Sequence, residues 1–361
     1  LATEVRKRGM RILCDGVFSH TGADSRYFNR YGRYPEVGAY QSRSSRYYPW
    51  YRFTDFPDHY NAWWGFYTLP ALEKDNPEYR RYLLAPETGV LPLWMRRGAC
   101  GWRLDVADEL PVNLLQAMRK AVKDTDPQGT LLGEVWEDAS NKVAYGQPRS
   151  YCLGDTLDSV MNYPLRRAVI DFFTGAATAQ ELVRLILHQR EVYPPPFLYS
   201  LMNLLGSHDR VRALNAFAGY DRPGPAQMPR ADAQAVRLTP SQIIASKERY
   251  LQALRLLCAL PGTPAVYYGD ELGMQGMADP WDRAPMDWEN GDTAFRAHVA
   301  ALLRHRLRHP VLQTGYLDAE ATNEDTLVIR RYTVNGLDAF GDPLSEGDAR
   351  VVITRQMRLR A

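Results

Sequence analysis

The chain is poor in cysteine, in net charge and in long apolar runs, and each shortage removes a class of protein. Four cysteines, Cys14, Cys100, Cys152 and Cys258, are spread over 361 residues with no C-x-x-C and no short spacing. That pattern is neither a disulfide framework nor a thiolate metal site. The four read as buried free thiols, with disulfide pairing left open. The formal net charge is only +2, and no block of like charges occurs. Nucleic acid and anionic membrane surfaces are therefore not expected as partners. No uncharged apolar run reaches about 18 residues, so no membrane-spanning helix is expected. There is no signal-peptide pattern and no initiator Met; Leu1–Met10 reads as the last turns of a helix ending at Gly9. A fragment of a longer protein is expected, and its compartment is left open. No internal repeat is visible.

What the chain does have is the balance of a globular protein, 45% apolar and 24% charged residues, with 22 Tyr, 8 Trp and 11 Phe. Such rings fill cores, and their apolar faces also match the C–H faces of sugar rings. Short apolar runs alternate with longer amphipathic segments from Arg11 onward. Strands are expected at Arg11–Val17, Gly101–Asp105, Thr130–Glu134, Asp155–Met161, Phe197–Leu205 and Thr263–Tyr268. Helices are expected at Asn76–Arg97, Pro111–Lys123, Thr178–Arg190, Pro240–Leu260 and Thr293–Arg308. Residues 21–72 form a long polar and aromatic loop, which is unusual unless it is functional or a small subdomain. After His309-Pro310 the pattern changes to strand-like Thr326–Tyr332 and Arg350–Thr354.

Alternating strands and helices predict a parallel sheet with crossovers. Polar residues with chemical potential fall at the ends of different strands: Asp15 and His20, Asp105, Glu134, and Asp209. That placement is the functional face of a (β/α)8 barrel. Arg103 lies two residues before Asp105 and so on the same face of a strand. From there it can hydrogen-bond Asp105 and hold it anionic. Taken alone, R-x-D is a weak signal and reads first as a structural ion pair. Glu134 ends an apolar strand beside Trp136, where desolvation favours a proton-bearing acid. Asp209 follows His208 after a Gly206-Ser207 turn. With no further ligand at metal spacing, this pair is read as binding hydroxyls rather than a metal.

In this order, DGVFSH (Asp15 to His20), GWRLDVADE (Gly101 to Glu109), GEVWED (Gly133 to Asp138) and GSHD (Gly206 to Asp209) resemble the four short regions of the α-amylase family, glycoside hydrolase family 13. LPALEKDNPEYRRYL, LDSVMNYPLR and GTPAVYYGDELGMQGMADPWDRAPMDW are similar to its neopullulanase, cyclomaltodextrinase and maltogenic-amylase group. The likeness runs from Leu1 to about Arg308.

The resemblance implies a (β/α)8 TIM barrel lacking its first two strands in this chain, so that the third to eighth are present. Residues 1–310 would be the catalytic barrel, with 21–72 as the loop subdomain after the third strand, and 311–361 the start of a C-terminal antiparallel β-domain. Six of eight strands imply that residues 1–361 alone are poorly folded and inactive. The resemblance assigns Asp105 as nucleophile, Glu134 as acid/base and Asp209 as the carboxylate gripping the 2- and 3-hydroxyls of the distorted ring. Arg103 orients Asp105, His20 and His208 donate to the sugar, and Asp15 is structural. Trp136, Asp282 and Arg283 are expected substrate contacts, the last two at the cleft rim.

The implied reaction is cleavage of α-1,4-glucosidic bonds, with α-1,6 bonds open, in malto-oligosaccharides, cyclodextrins, starch or pullulan, with retention. A transglycosylase on the same site, or a non-catalytic amylase-like sugar binder, are the alternatives. Ser19 stands where the family usually carries a calcium-binding Asn, and hydroxyl is the poorer ligand. No cofactor is therefore expected to be required, and calcium stays an open alternative. Ala71-Leu72-Glu73 replaces the group's usual Lys-Leu-Asn, leaving the sugar-contacting role there unassigned. A homodimer through an N-terminal domain is a further implication.

Overall fold

The computed structural model describes residues 1–221 and 228–355. Residues 222–227 of the expected barrel and 356–361 of the expected C-terminal β-domain lie outside the described residues. The chain forms two compact units, Leu1–Val160 and Met161–Ala361.

The first unit opens with helix α1 (Ala2–Lys7) and strand β1 (Ile12–Gly16). β1 pairs in parallel with β2 (Ala99–Leu104), β2 with β3 (Thr130–Gly133), and β3 with β4 (Ser159–Val160). All four lie in one sheet in that order. β2 and β3 are nearly continuous buried residues, as a sheet covered on both faces requires. The expected single helix over Asn76–Arg97 is instead two, α2 (Pro77–Leu84) and α3 (Val90–Arg96). Asn76 caps α2 by accepting from the Glu78 and Tyr79 N–H groups. Ala85 then turns extended because Pro86 follows it. α4 (Val112–Thr125) buries Leu114, Leu115, Met118 and Val122. α3 packs on α4 and β2, and α4 on β3.

In residues 21–72 the aromatic residues pack on one another. Phe28 is fully buried, with ring centroids 4.7 Å from Tyr60 and 4.9 Å from Tyr51. This segment is an aromatic cluster held by its own side chains.

The second unit carries α5 (Tyr163–Phe173), α6 (Ala179–Val192) and the short α7 (Pro195–Leu198). The expected strand over Phe197–Leu205 is thus shortened to β5 (Met202–Leu204). Pro194, Pro195 and Pro196 pre-set helical φ and start a turn rather than a strand. After α8 (Pro240–Ala259), β6 (Thr263–Ala265) pairs in parallel with β5, and α9 (Thr293–Arg308) follows.

Strands β7 (Tyr316–Asn323), β8 (Thr326–Tyr332) and β9 (Ala349–Thr354) form an antiparallel sheet. β7 was not foreseen from the sequence, because Asp318, Glu320, Thr322 and Asn323 give it a weak strand composition. One hydrophobic core joins this sheet to α5, α6, α8 and α9. Two buried arginines tie it further. Arg331 donates to the Ala259, Leu312 and Gly315 carbonyls at 2.7–2.9 Å. Arg306 donates to the carbonyls of Cys258, Gly262 and Leu312 at 2.6–2.8 Å. Each guanidinium thereby satisfies carbonyls that end α8, which no helical N–H reaches.

Candidate active site

In the first unit, three strand ends converge on one guanidinium. The register sets Arg103 beside Asp15 on one side and Leu132 on the other. Past the strands the ladder continues: Asp105 N–H donates to the Gly16 carbonyl and Glu134 N–H to the Leu104 carbonyl, each at 3.0 Å. Asp105 and Glu134 are therefore fixed by backbone as well as side chain. A Cβ at Gly133 would sit 2.4 Å from Leu157 Cδ1.

Arg103 Nη1 donates to Asp15 Oδ1 and to Asp105 Oδ1, both at 2.8 Å. Its Nη2 lies 2.8 Å from Glu134 Oε2, an ion pair in which the N–H is not aimed along the contact. Arg103 and Glu134 are buried, while the Asp105 side chain keeps 20% of its surface open. Burial by itself disfavours a charged guanidinium. Glu134, Asp15 and Asp105 outweigh it and raise the Arg103 pKa further above its ordinary value. The cation is permanent, and the carboxylates are organised around it.

Glu134 Oε2 also accepts from the Val106 N–H at 2.9 Å. Val106 provides that donor from a left-handed backbone, φ 38° and ψ 68°. A β-branched residue there is an outlier, costing on the order of 1–3 kcal/mol. The strain sits one residue after Asp105 and aims a main-chain donor at Glu134. Sequence reading passed over Val106, whose only signal is this backbone conformation.

His20 is buried, with Nδ1 2.9 Å from Ser19 Oγ and its ring 5.1 Å from that of Trp63. Burial pushes its pKa below the ordinary histidine value despite the opposing fields of Asp105 and Glu109. It is a neutral imidazole at pH 7. Trp63 and Trp64 stack at 4.5 Å, and Trp64 is 70% exposed. Trp64 Nε1 donates to Glu109 Oε1 at 3.2 Å, and the Tyr145 hydroxyl donates to the same oxygen. Glu109 and Tyr145 were not singled out from sequence. The only available signal was the position of Glu109, four residues beyond Asp105. Trp136 is 37% exposed.

In the second unit, His208 Nε2 and Arg283 Nη2 each lie 3.1 Å from Asp209, on opposite oxygens. Arg283 also pairs with Asp279 at 2.7 Å. Asp282, expected beside Arg283 as a rim contact, is fully buried, and neither carboxylate oxygen has a hydrogen-bond partner. The 3-10 turn Trp281–Arg283 points consecutive side chains in different directions, so only one of the two faces solvent.

The Ser19 hydroxyl is engaged with His20. Among the described residues no group of three or more His, Cys, Asp or Glu could hold a metal ion.

Carboxylates gathered at strand ends around a buried arginine are the kind of group that glycoside hydrolysis requires. Residues 1–321 match the family model described as alpha amylase, catalytic domain. The chain belongs to the α-amylase family, glycoside hydrolase family 13. It is 34% identical to an amylopullulanase of Thermoanaerobacterium saccharolyticum, over 98% of this chain and 28% of the relative. It is 32% identical to neopullulanase 2 of Thermoactinomyces vulgaris, over 85% of this chain and 47% of the relative. The chain thus spans less than half the length of these curated relatives. Among solved structures, the ligand-free cyclic α-maltosyl-(1→6)-maltose hydrolase of Arthrobacter globiformis aligns with a TM-score of 0.77 at 26% identity, covering 98% of this chain and 77% of that one. The same hydrolase has been solved in complex with maltose.

Proposed function

We propose that the protein carrying this chain hydrolyses α-glucosidic bonds of malto-oligosaccharides and related glucans with net retention. The observation that carries this reading is the single guanidinium of Arg103, 2.8 Å from both Asp105 and Glu134. One guanidinium can reach two carboxylates only if they stand close together, as a pair acting on one anomeric carbon must. Asp105 is the more open of the two and is the nucleophile. Glu134 is the acid/base.

In the first step Glu134 gives its proton to the glycosidic oxygen, and that bond breaks as Asp105 Oδ bonds to the anomeric carbon. The oligosaccharide leaves as an alcohol and a glycosyl ester remains. In the second step Glu134, now anionic, takes a proton from water. The water oxygen bonds to the anomeric carbon, and the ester C–O bond breaks, releasing Asp105. A carboxylate oxygen paired with a guanidinium only accepts hydrogen bonds. Arg103 and the Val106 N–H both meet Oε2 of Glu134, so Oε1 carries the proton while Oε2 goes on accepting.

Neutral His20 donates to a sugar oxygen, its Nδ1 engaged by Ser19. Asp209, held between His208 and Arg283, accepts from two adjacent hydroxyls of a bound sugar. Trp136 and Arg283 contact the substrate, and Asp15 is structural. No metal or cofactor takes part in these steps. The names of the relatives support both α-1,4 and α-1,6 bonds as targets. Within each unit the parallel strands are successive strands of a (β/α)8 barrel. Residues 21–72 are its loop subdomain, and residues from 311 begin a C-terminal β-domain.

Digestion of maltodextrin, cyclodextrin and pullulan by the full-length protein, with the products and their anomers identified, tests the reading. Release of α-anomeric maltose or glucose is expected. Products that appear first as β-anomers, or none from any of the three glucans, would refute it.

A further inference from the structure

We propose that Arg166, with Asp221 as its counter-ion, is a positioning residue that fixes where the Asp209 carboxylate stands. The proposal rests on the hydroxyl-binding role given above to Asp209, and all its residues lie in the second unit. Asp209 belongs to a segment, Leu205–Val211, that follows β5 and is neither helix nor strand. The hydrogen bonds within that segment are long. The Arg210 N–H reaches the Ser207 carbonyl at 3.4 Å, and the Asp209 N–H reaches Ser207 Oγ at 3.3 Å. Both exceed the usual range of about 2.7–3.2 Å, so the segment depends on contacts from outside it.

Arg166 supplies them. It projects from α5, is fully buried, and gives each of its three nitrogens a different acceptor. Nε donates to the Leu205 carbonyl at 2.8 Å, Nη2 to the Val211 carbonyl at 3.3 Å and Nη1 to Asp221 Oδ2 at 2.6 Å. One rigid plane thus spans both ends of the segment that carries Asp209. The other oxygen of Asp221 accepts from Arg210 at 3.0 Å. The residue next to Asp209 is therefore tied to the same buried pair.

Energetics favours a directional role for this pair. A buried ion pair adds little net stability over apolar packing of the same volume, because desolvation offsets the attraction. What the guanidinium does supply is a set of fixed N–H directions. A carboxylate that grips two hydroxyls needs such fixing, since a misplacement of about 1 Å costs on the order of a hundredfold in rate.

The test gives the full-length protein α-D-glucosyl fluoride and its 2-deoxy analogue as substrates. Asp209 accepts from the 2-hydroxyl, so the ratio of the two kcat/KM values reports its grip. Asp209→Ala sets the floor of that ratio. Arg166→Lys keeps a cation beside Asp221 but has one nitrogen for three acceptors. Arg210→Ala removes the second tie at a side chain that is 30% exposed, so folding is preserved. Arg166→Lys is expected to lower the ratio at least about tenfold, toward the Asp209→Ala value, and Arg210→Ala to lower it less. Damage that is only structural lowers both rates together, and an unchanged ratio in both variants would overturn the proposal. Hydrogen exchange of the peptide spanning residues 205–211 should be faster in Arg166→Lys, and exchange equal to the parent's would overturn it as well. If Asp209→Ala leaves the ratio at the parent's value, or the parent turns over neither fluoride, the reading of Asp209 or of the catalytic site fails instead, and the exchange measurement alone decides the clamp.

Discussion

Arg103 and Glu134 meet at 2.8 Å with both residues buried, while the other nitrogen of the same guanidinium holds Asp105 and Asp15. The acid/base and the nucleophile thus share one cation before any substrate binds. The planar guanidinium reaches three carboxylates from two fixed nitrogens; an ammonium has only one nitrogen to place. Arg103→Lys keeps the charge and loses the geometry. Removing one partner from a buried ionic cluster costs about 3–5 kcal/mol, and Lys should recover only part of it. Turnover should fall at least about a hundredfold, with a lower thermal midpoint. Assay of maltodextrin hydrolysis beside a melting curve checks both. Wild-type kinetics in Arg103→Lys would mean that the cluster is merely structural.

His20 predicts an acid-side loss of stability. Its pKa is lowered in the folded protein by burial, with Asp105 and Glu109 opposing. Below its ordinary value of about 6.5, the unfolded chain therefore binds more protons than the folded one. Stability from this group is present above that value and is lost as pH falls through it toward the folded pKa. His20→Gln cannot titrate, so its melting temperature should vary less between pH 7.5 and pH 5 than that of the parent. Parallel curves for the two proteins would show that His20 is not the group concerned.

Asp282 predicts the opposite sign. Burial raises its pKa to about 7, with Arg283 opposing. Between the ordinary aspartate value of about 4 and that value, the folded protein binds the extra proton. The contribution is favourable at low pH and is lost as pH rises toward 7. Asp282→Asn, a neutral isostere, should raise the melting temperature at pH 8 more than at pH 5. A destabilising effect at both pH values would indicate a cation or fixed donor facing the carboxylate.

The sequence made the carboxylates legible because strand ends and short motifs are local features. Arg103 and Asp105 share a strand face by spacing alone, and Asp105 to Glu109 could be read as one turn. The helix expected over Thr293–Arg308 matched residue for residue, and those over Pro240–Leu260 and Thr178–Arg190 matched to within one or two residues at each end. The misses are tertiary or involve proline. Pro86 divides a periodic stretch into two helices, and Pro194 to Pro196 convert an apolar run into a turn. Val106 was invisible because its left-handed backbone is imposed by packing and by the Glu134 carboxylate, against its own preference. Asp282 looked like a surface residue beside an arginine, and only the direction of the 3-10 turn buries it.

The account turns on Asp105 as the atom donor of a covalent intermediate. Incubation of the full-length protein with 5-fluoro-α-D-glucosyl fluoride, which slows the second displacement, followed by peptide mass spectrometry, tests this directly. The account predicts a fluoroglucosyl ester on the peptide that contains Asp105, absent in Asp105→Asn. A label on Glu134 or Asp209, or rapid turnover with no labelled peptide in a protein that inverts its substrate, would contradict it.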